Sequence, residues 1–126
     1  TITGESSGSW TVDASDNTLA YTIVGRVCHV QGQIATTTDN SASGTAQLSL
    51  PVTAASLTEN ADLARTPMYL RDHGDAGIEQ AFISVGGGSS VGKFVNITDA
   101  GGQESITHAR LGVAFIPYFA FSYIIA

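Results

Sequence analysis

The densest group of chemically capable side chains in this 126-residue sequence is Asp72-His73-Gly74-Asp75, which follows Tyr69 and Arg71 closely. Carboxylates, an imidazole and a guanidinium supply hydrogen bonds to hydroxyl groups, and a tyrosine ring supplies a face on which a sugar stacks. The group lacks the acidic spacing of a calcium loop and the additional His or Cys ligands of a zinc site. Two interpretations remain: a hydrophilic hairpin turn, and a sugar-contacting loop formed by Tyr69, Arg71, Asp72 and His73.

Trp10 is the only tryptophan of the chain, and it stands between Ser9 and Thr11. An indole that faces solvent beside polar residues can stack on a sugar, whereas a core or interface indole buries its large apolar surface. Trp10 is therefore a further candidate ligand-binding residue, with a place in the core or in an interface as the alternative.

Motifs that would indicate catalysis are incomplete. Gly4-Glu5-Ser6-Ser7-Gly8 matches the G-x-S-x-G string of hydrolases, but that mechanism requires a strand-to-helix turn, and no helical pattern follows. The glycine-rich residues 86–92 lack the Lys-Ser/Thr ending of a phosphate-binding loop. No pattern orders the three histidines with a nucleophile and an acid. The sequence predicts no enzyme, no catalytic residue, no metal and no cofactor.

Composition restricts the partners. The net charge is −6, and the five basic residues are scattered along the chain, whereas phosphate binding requires clustered cations. We therefore expect neither nucleic acid nor an anionic membrane surface as a partner. Residues 115–126 form the longest apolar stretch, but this stretch is too short and contains too many polar side chains to insert as a membrane helix. The single cysteine, Cys28, excludes an internal disulfide.

The hydrophobic pattern is that of an all-β protein. Residues 19–24 and 27–37 alternate between apolar and polar side chains, and Gly25-Arg26 joins them as a tight turn, so this segment predicts a β-hairpin. Eight or nine short strands between turns favour an antiparallel β-sandwich of jelly-roll type. Residues 1–9 are predicted to be a flexible lead-in, residues 10–126 a single domain, and residues 106–113 to contain one further strand.

The last strand suggests self-association. Residues 115–125 carry Phe115, Tyr118, Phe119, Phe121 and Tyr123, which place apolar groups on both faces of one strand. Such a strand must be sandwiched in its own sheet or covered by another chain. Only 13% of the residues are charged, which leaves a monomer few means to solvate its surface. We expect a homotrimer with this strand near the shared interface.

Three motifs in order carry a resemblance to a known family. They are Tyr21-Thr22-Ile23-Val24-Gly25-Arg26-Val27-Cys28-His29-Val30-Gln31-Gly32-Gln33-Ile34, then Leu48-Ser49-Leu50-Pro51, and then Phe121-Ser122-Tyr123-Ile124. Together they resemble the C-terminal receptor-binding or trimer-forming domains of bacteriophage tail fibres and tailspikes. The resemblance implies a homotrimeric β-sandwich at the distal end of a virion fibre that binds a host surface glycan or protein. The alternative it implies is a structural domain that holds the trimer together and binds no external ligand.

Overall fold

The structure, a computed structural model, describes residues 1–57 and 64–126. Its described residues form the strands β1 (Ile2–Gly4), β2 (Ser7–Val24), β3 (Val27–Ser43), β4 (Ala46–Ser49), β5 (Ala64–Pro67), β6 (Tyr69–Arg71), β7 (Gln80–Val85), β8 (Val91–Ile97), β9 (Gln103–Ser105) and β10 (Ile116–Ile124), and the short helix α1 (His108–Leu111). The strand order is β5-β7-β8-β4-β1-β2-β3-β10-β6, with β9 beside β8. All of these pairings are antiparallel, which confirms the predicted all-β class.

The predicted hairpin is confirmed and forms the longest ladder of the sheet. β2 and β3 pair from Val24↔Val27 outward, with Gly25 and Arg26 as the two turn residues. Gly25 has a φ of 59°, and the φ of Arg26 is not positive, as in the type II′ turn that suits the twist of paired strands. Tyr21 lies opposite Val30, so the two side chains share one face of the sheet.

β2 is one continuous strand that carries a bulge at residues 13–16. Val12 pairs with Thr36 and Asn17 pairs with Ile34, so residues 13–16 of β2 stand opposite one residue of β3. Within the bulge, the carboxylate of Asp13 accepts hydrogen bonds from the backbone N–H of Ser15 at 2.8 Å and from its hydroxyl at 2.7 Å. These bonds lower the pKa of Asp13 and make a local turn that satisfies the backbone outside the ladder.

The prediction that residues 1–9 form a flexible lead-in was wrong. β1 lies inside the strand order, where Ile2 pairs with Leu48 of β4 and Thr3 pairs with Ser9 of β2. The side chain of Ile2 is fully buried. The polar composition of residues 1–9 does not indicate a strand. The strand β1 is stabilised by pairing with β4, more than 40 residues away, which no local pattern shows.

The prediction of a strand in residues 106–113 was also wrong, because the segment contains α1. Thr107 precedes the helix in an extended conformation, and Gly112 follows it with a φ of 72° that favours glycine. The helix buries Leu111 in the core. The sequence of residues 54–64 predicts a loop or one helical turn, and most of this segment, residues 58–63, lies outside the described residues.

The described core is one continuous cluster that includes the aromatic residues of the last strand. The largest fully buried side chains include Tyr123, Phe94, Phe115, Ile2, Ile34 and Leu48. Phe119 and Phe121 are 5% and 4% exposed, so these rings pack inside their own chain rather than against another copy. The Tyr123 hydroxyl donates a hydrogen bond to the Val52 carbonyl at 2.7 Å, and burial raises its pKa. The aromatic residues of this strand therefore belong to the core of their own chain, which is one of the two alternatives that the sequence left open.

Residues 64–71 pair with two different strands in succession. β5 pairs with β7, ending at Pro67↔Phe82, and the N–H of Met68 donates to the Ala81 carbonyl at 2.9 Å. β6 then pairs with β10, beginning at Tyr69↔Tyr118. The chain thus leaves β7 at Met68, and beyond this point a gap opens between β6 and the start of β7.

Candidate functional site

The gap between β6 and β7 is a cleft of about 460 Å³. This volume lies within the range of pockets that hold small organic ligands. The buried side chains at its base are apolar, namely Met68, Leu70, Ile78 and Ala81. Its walls carry aromatic and polar side chains, namely Tyr69, His73, Glu79, Gln80 and Phe82. An apolar floor with a few polar groups around it is the usual composition of a ligand site.

Tyr69 forms the outer corner of the cleft. Its side chain is 66% exposed, the largest exposed fraction among the large hydrophobic side chains of the described residues. The ring lies beside Tyr118, with 5.7 Å between the ring centroids and 38° between the planes. This contact orients the ring while leaving much of it open to solvent. Tyr69 therefore offers the cleft a positioned aromatic surface.

Arg71 and Asp72 stand beside the cleft and do not line it. The Arg71 Nε lies 3.2 Å from the Asp72 carboxylate, and the charge of Asp72 together with a hydrogen bond to Tyr118 raises the pKa of Arg71. Asp72 adopts a φ of 61°, a conformation that aspartate tolerates better than most residues. This residue turns the chain away from β6 and toward His73.

His73 contributes an unsatisfied polar atom. Its Nδ1 is buried and has no hydrogen-bond partner among the described residues. A buried ring nitrogen without a partner costs free energy, which a ligand or a small movement of the loop relieves. His73 lines the cleft. A rotation of its ring would therefore let Nδ1 form a hydrogen bond with a hydroxyl group of a bound ligand.

The wall of the cleft opposite Tyr69 is formed by residues 78–80. It is held in place by Asn96, a fully buried residue of β8. Its side-chain oxygen accepts hydrogen bonds from the N–H groups of Glu79 at 3.0 Å and Gln80 at 3.1 Å. Its side-chain nitrogen donates to the carbonyl of Gly77 at 3.0 Å. Asn96 is also the first residue of an Asn-Ile-Thr sequon, but these contacts occupy its amide inside the protein. Its role in the fold is to position residues 77–80.

A second anchor holds the loop between β6 and β7. The Asp75 carboxylate accepts hydrogen bonds from the Gly77 N–H at 2.8 Å and from the Arg110 Nε at 2.5 Å. Arg110 also contacts Glu104 of β9 at 3.0 Å. The hydrogen bond from Arg110, followed by that from Gly77, lowers the pKa of Asp75. The loop is thus fastened at Asp75 from one side and at Gly77 by Asn96 from the other.

The structure brings together two of the five candidate residues, Tyr69 and His73, in one cleft. Trp10 is 3% exposed, and its indole N–H donates to the Gly112 carbonyl at 3.1 Å, so it offers a ligand no free face. The candidate role of Trp10 in sugar stacking was wrong, and the core alternative describes it. Its ring also packs edge-on against Phe115, with 5.4 Å between centroids.

The residues that sequence reasoning missed are those of the second wall, chiefly Glu79, Gln80 and the buried Asn96. The distance between the start of β7 and Tyr69 depends on a partner exchange at Met68 that no local pattern encodes. The available signal was Asn96 itself, which stands between the apolar residues Val95 and Ile97, because a buried amide needs several hydrogen-bond partners.

The metal-ligating side chains and the histidines of the described residues are dispersed. No group of three or more His, Cys, Asp or Glu side chains in residues 1–57 and 64–126 is placed to hold a metal ion. His29 contacts the Ser122 hydroxyl at 2.7 Å, and His108 contacts Asp39 at 2.7 Å. These are two separate pairs, and the string from Gly4 to Gly8 joins β1 to β2 rather than a strand to a helix.

Comparisons with protein-family models, with curated proteins and with solved structures find no match to this chain. Within the part of the chain that the structure describes, no helix has the length and apolar character required to cross a membrane.

Replacing Asn96 with alanine should destabilise the protein and disorder the second wall of the cleft. The substitution leaves two N–H groups and one carbonyl without their partners, which we expect to cost about 3 kcal/mol. Urea unfolding followed by circular dichroism measures the loss. Asn40→Ala is the matched control, because Asn40 is exposed and donates to Thr11 at 2.8 Å. Equal effects of the two substitutions would contradict the role given to Asn96.

The Asp75 anchor should weaken in acid. Its pKa is lowered in the folded protein, so its contribution is complete above the ordinary aspartate range, near pH 4, and is lost as the pH falls through the folded value. Asp75→Asn should therefore be less stable than the parent protein at pH 7, and the difference should shrink as the pH falls below about 4. Urea unfolding of both proteins across this range measures the difference. A difference that stays constant with pH would contradict the assignment.

Proposed function

We propose that this chain is a receptor-binding domain from the distal part of a bacteriophage tail fibre or tailspike, and that it binds a host surface carbohydrate in the cleft between β6 and β7. The single observation that carries the binding proposal is the exposed ring of Tyr69 at the rim of a cleft with an apolar floor and polar walls. Pyranose rings present an apolar C–H face and a hydroxyl edge, which match an aromatic ring and nearby polar side chains.

The location and the finer architecture belong to the same proposal. The three motifs that resemble phage fibre domains lie in β2 and β3, at the end of β4, and in β10. We propose that the strands pack as a jelly-roll-like β-sandwich in a virion fibre. This packing is supported by the single buried cluster and by β5 and β6, which lie at opposite ends of the strand order although only Met68 separates them.

The test is binding of the purified chain to a glycan array, followed by titration of the best oligosaccharide. Tyr69→Ala should weaken binding by about tenfold or more because the stacking surface is removed. Tyr69→Phe is the control, since it keeps the ring and should retain most of the affinity. His73→Ala should also weaken binding. A glycan that binds equally well to the parent protein and to Tyr69→Ala would place the site elsewhere.

A second candidate function, assembly of the fibre, is favoured by a different observation. Half of the eight exposed large hydrophobic side chains in the described residues lie within residues 19–24. We call these four residues the β2 strip: Leu19, Tyr21 and Ile23 on one face of the strand and Val24 on the other, which are 48%, 57%, 44% and 63% exposed. An apolar cluster of this kind on a soluble protein marks a surface for association.

The β2 strip lies on an open edge of the sheet. Beyond the bulge, β2 pairs with β3 on one side, while β1 meets β2 only near Ser9, so the described residues provide no second neighbour for residues 17–24. Ile23 lies opposite the buried Cys28, so its side chain is on the core-facing side of the sheet although it is exposed to solvent. Residues 17–25 contain no charge and no proline, the features that usually protect an edge strand.

We propose that sister copies of this chain cover the β2 strip, in the homotrimer that the resemblance implies. The uncharged strip favours this occupant, because identical copies of it meet without electrostatic repulsion and each hides the apolar surface of the others. The aromatic residues of β10, which pack inside their own chain, are then not needed for the contact.

Sedimentation equilibrium at micromolar concentration tests the assembly. The parent protein should have the mass of three copies, and Tyr21→Lys should reduce it to one copy by placing a charge in the strip. The circular dichroism spectrum should remain that of a β protein. Val113→Lys is the control, because Val113 is 60% exposed but lies outside the strip. A monomeric parent protein, or a variant at Tyr21 that remains trimeric, would exclude this interface.

A further inference from the structure

We infer that the cleft selects sugars without acidic groups, an inference that rests on the proposed carbohydrate-binding function and specifies its ligand class. Among the described residues that line the cleft, Glu79 is the only one with a carboxylate, and none is Lys or Arg. Recognition of an acidic sugar normally uses an arginine or lysine that pairs with the carboxylate or sulfate. This cleft presents the opposite charge.

Two cations beside the loop between β6 and β7 already pair with carboxylates of the protein. The Arg71 Nε lies 3.2 Å from the carboxylate of Asp72. Arg110 contacts both Asp75 and Glu104. An acidic ligand would have to compete with these carboxylates while approaching a chain whose net charge is −6.

Glu79 places a negative charge in the wall of the cleft. Its backbone N–H is fixed by Asn96, and its Oε2 accepts a hydrogen bond from the Asp99 N–H at 3.0 Å. A carboxylate accepts several hydrogen bonds, so this contact leaves capacity for hydroxyl or ammonium groups of a sugar. The same carboxylate repels an anionic substituent, which gives specificity by disfavouring the wrong ligand.

The other polar groups of the cleft suit hydroxyl groups. Gln80 provides an amide with both donor and acceptor atoms, and His73 provides an imidazole with one of each when neutral. Tyr69 and Phe82 flank these residues with aromatic carbon. The cleft therefore matches an uncharged hexose or an amino sugar, whose ammonium group would pair with Glu79.

The experiment compares matched pairs of oligosaccharides by titration calorimetry: galactose- or N-acetylglucosamine-terminated chains, and the same chains carrying sialic acid or sulfate. The neutral member of each pair should bind at least about tenfold more tightly. Glu79→Gln should narrow this difference severalfold by removing the repelling charge. Glu5→Gln is the control, because it removes the same charge from an exposed site that pairs with Lys93.

The outcomes separate the two levels of the proposal. Tighter binding of the acidic member, or discrimination that Glu79→Gln leaves unchanged, would overturn the inference while carbohydrate binding stands. An absence of binding to every oligosaccharide on a broad array would overturn the proposed function and the inference together.

Discussion

The candidate site depends on one constraint, the exchange of strand partners at Met68. A continuous strand that paired only with β7 would cover the space in which the cleft lies, and Tyr69 would lie beside β7 rather than beside Tyr118. Because residues 69–71 pair with β10 instead, the chain opens a gap and exposes one tyrosine at its rim. The described strands thus form the cleft between them. The floor of the cleft consists of apolar side chains at the edge of the hydrophobic core.

A cleft between two diverging strands keeps its shape only if both walls are fixed. One wall is held by the pairing of β6 with β10, and the other by polar contacts. Asn96 binds three backbone groups of residues 77–80, and Asp75 ties the same loop to Arg110. The contacts of Asn96 replace hydration that the backbone would otherwise lose on burial. Rigid walls matter for recognition of a polyhydroxylated ligand, because hydrogen bonds to hydroxyl groups contribute little affinity unless their partners are already in place.

Local patterns in the sequence predict secondary structure and candidate residues that are close together in the chain. They do not predict contacts between residues that are far apart in the chain. The hairpin of β2 and β3 follows from alternation around Gly25, and Tyr69 and His73 were found because they are close in sequence. The strand β1 was missed because its partner, β4, is remote. The sequence leaves Trp10 as a candidate because its burial depends on Phe115 and Gly112, about a hundred residues later. The second wall of the cleft depends on Asn96, which belongs to another strand, 16 to 19 residues from the groups that it binds.

The most direct test of the central claim is to map the binding surface with amide chemical shifts of the ¹⁵N-labelled protein during titration with a bound oligosaccharide. If the oligosaccharide binds in the cleft, the perturbed amides should cluster in residues 69–73 and 78–82, on its two walls. Shifts confined to the outer face around His29 and Ser122, or to residues 19–24, would contradict it, because they would place the ligand on a surface that the cleft does not reach.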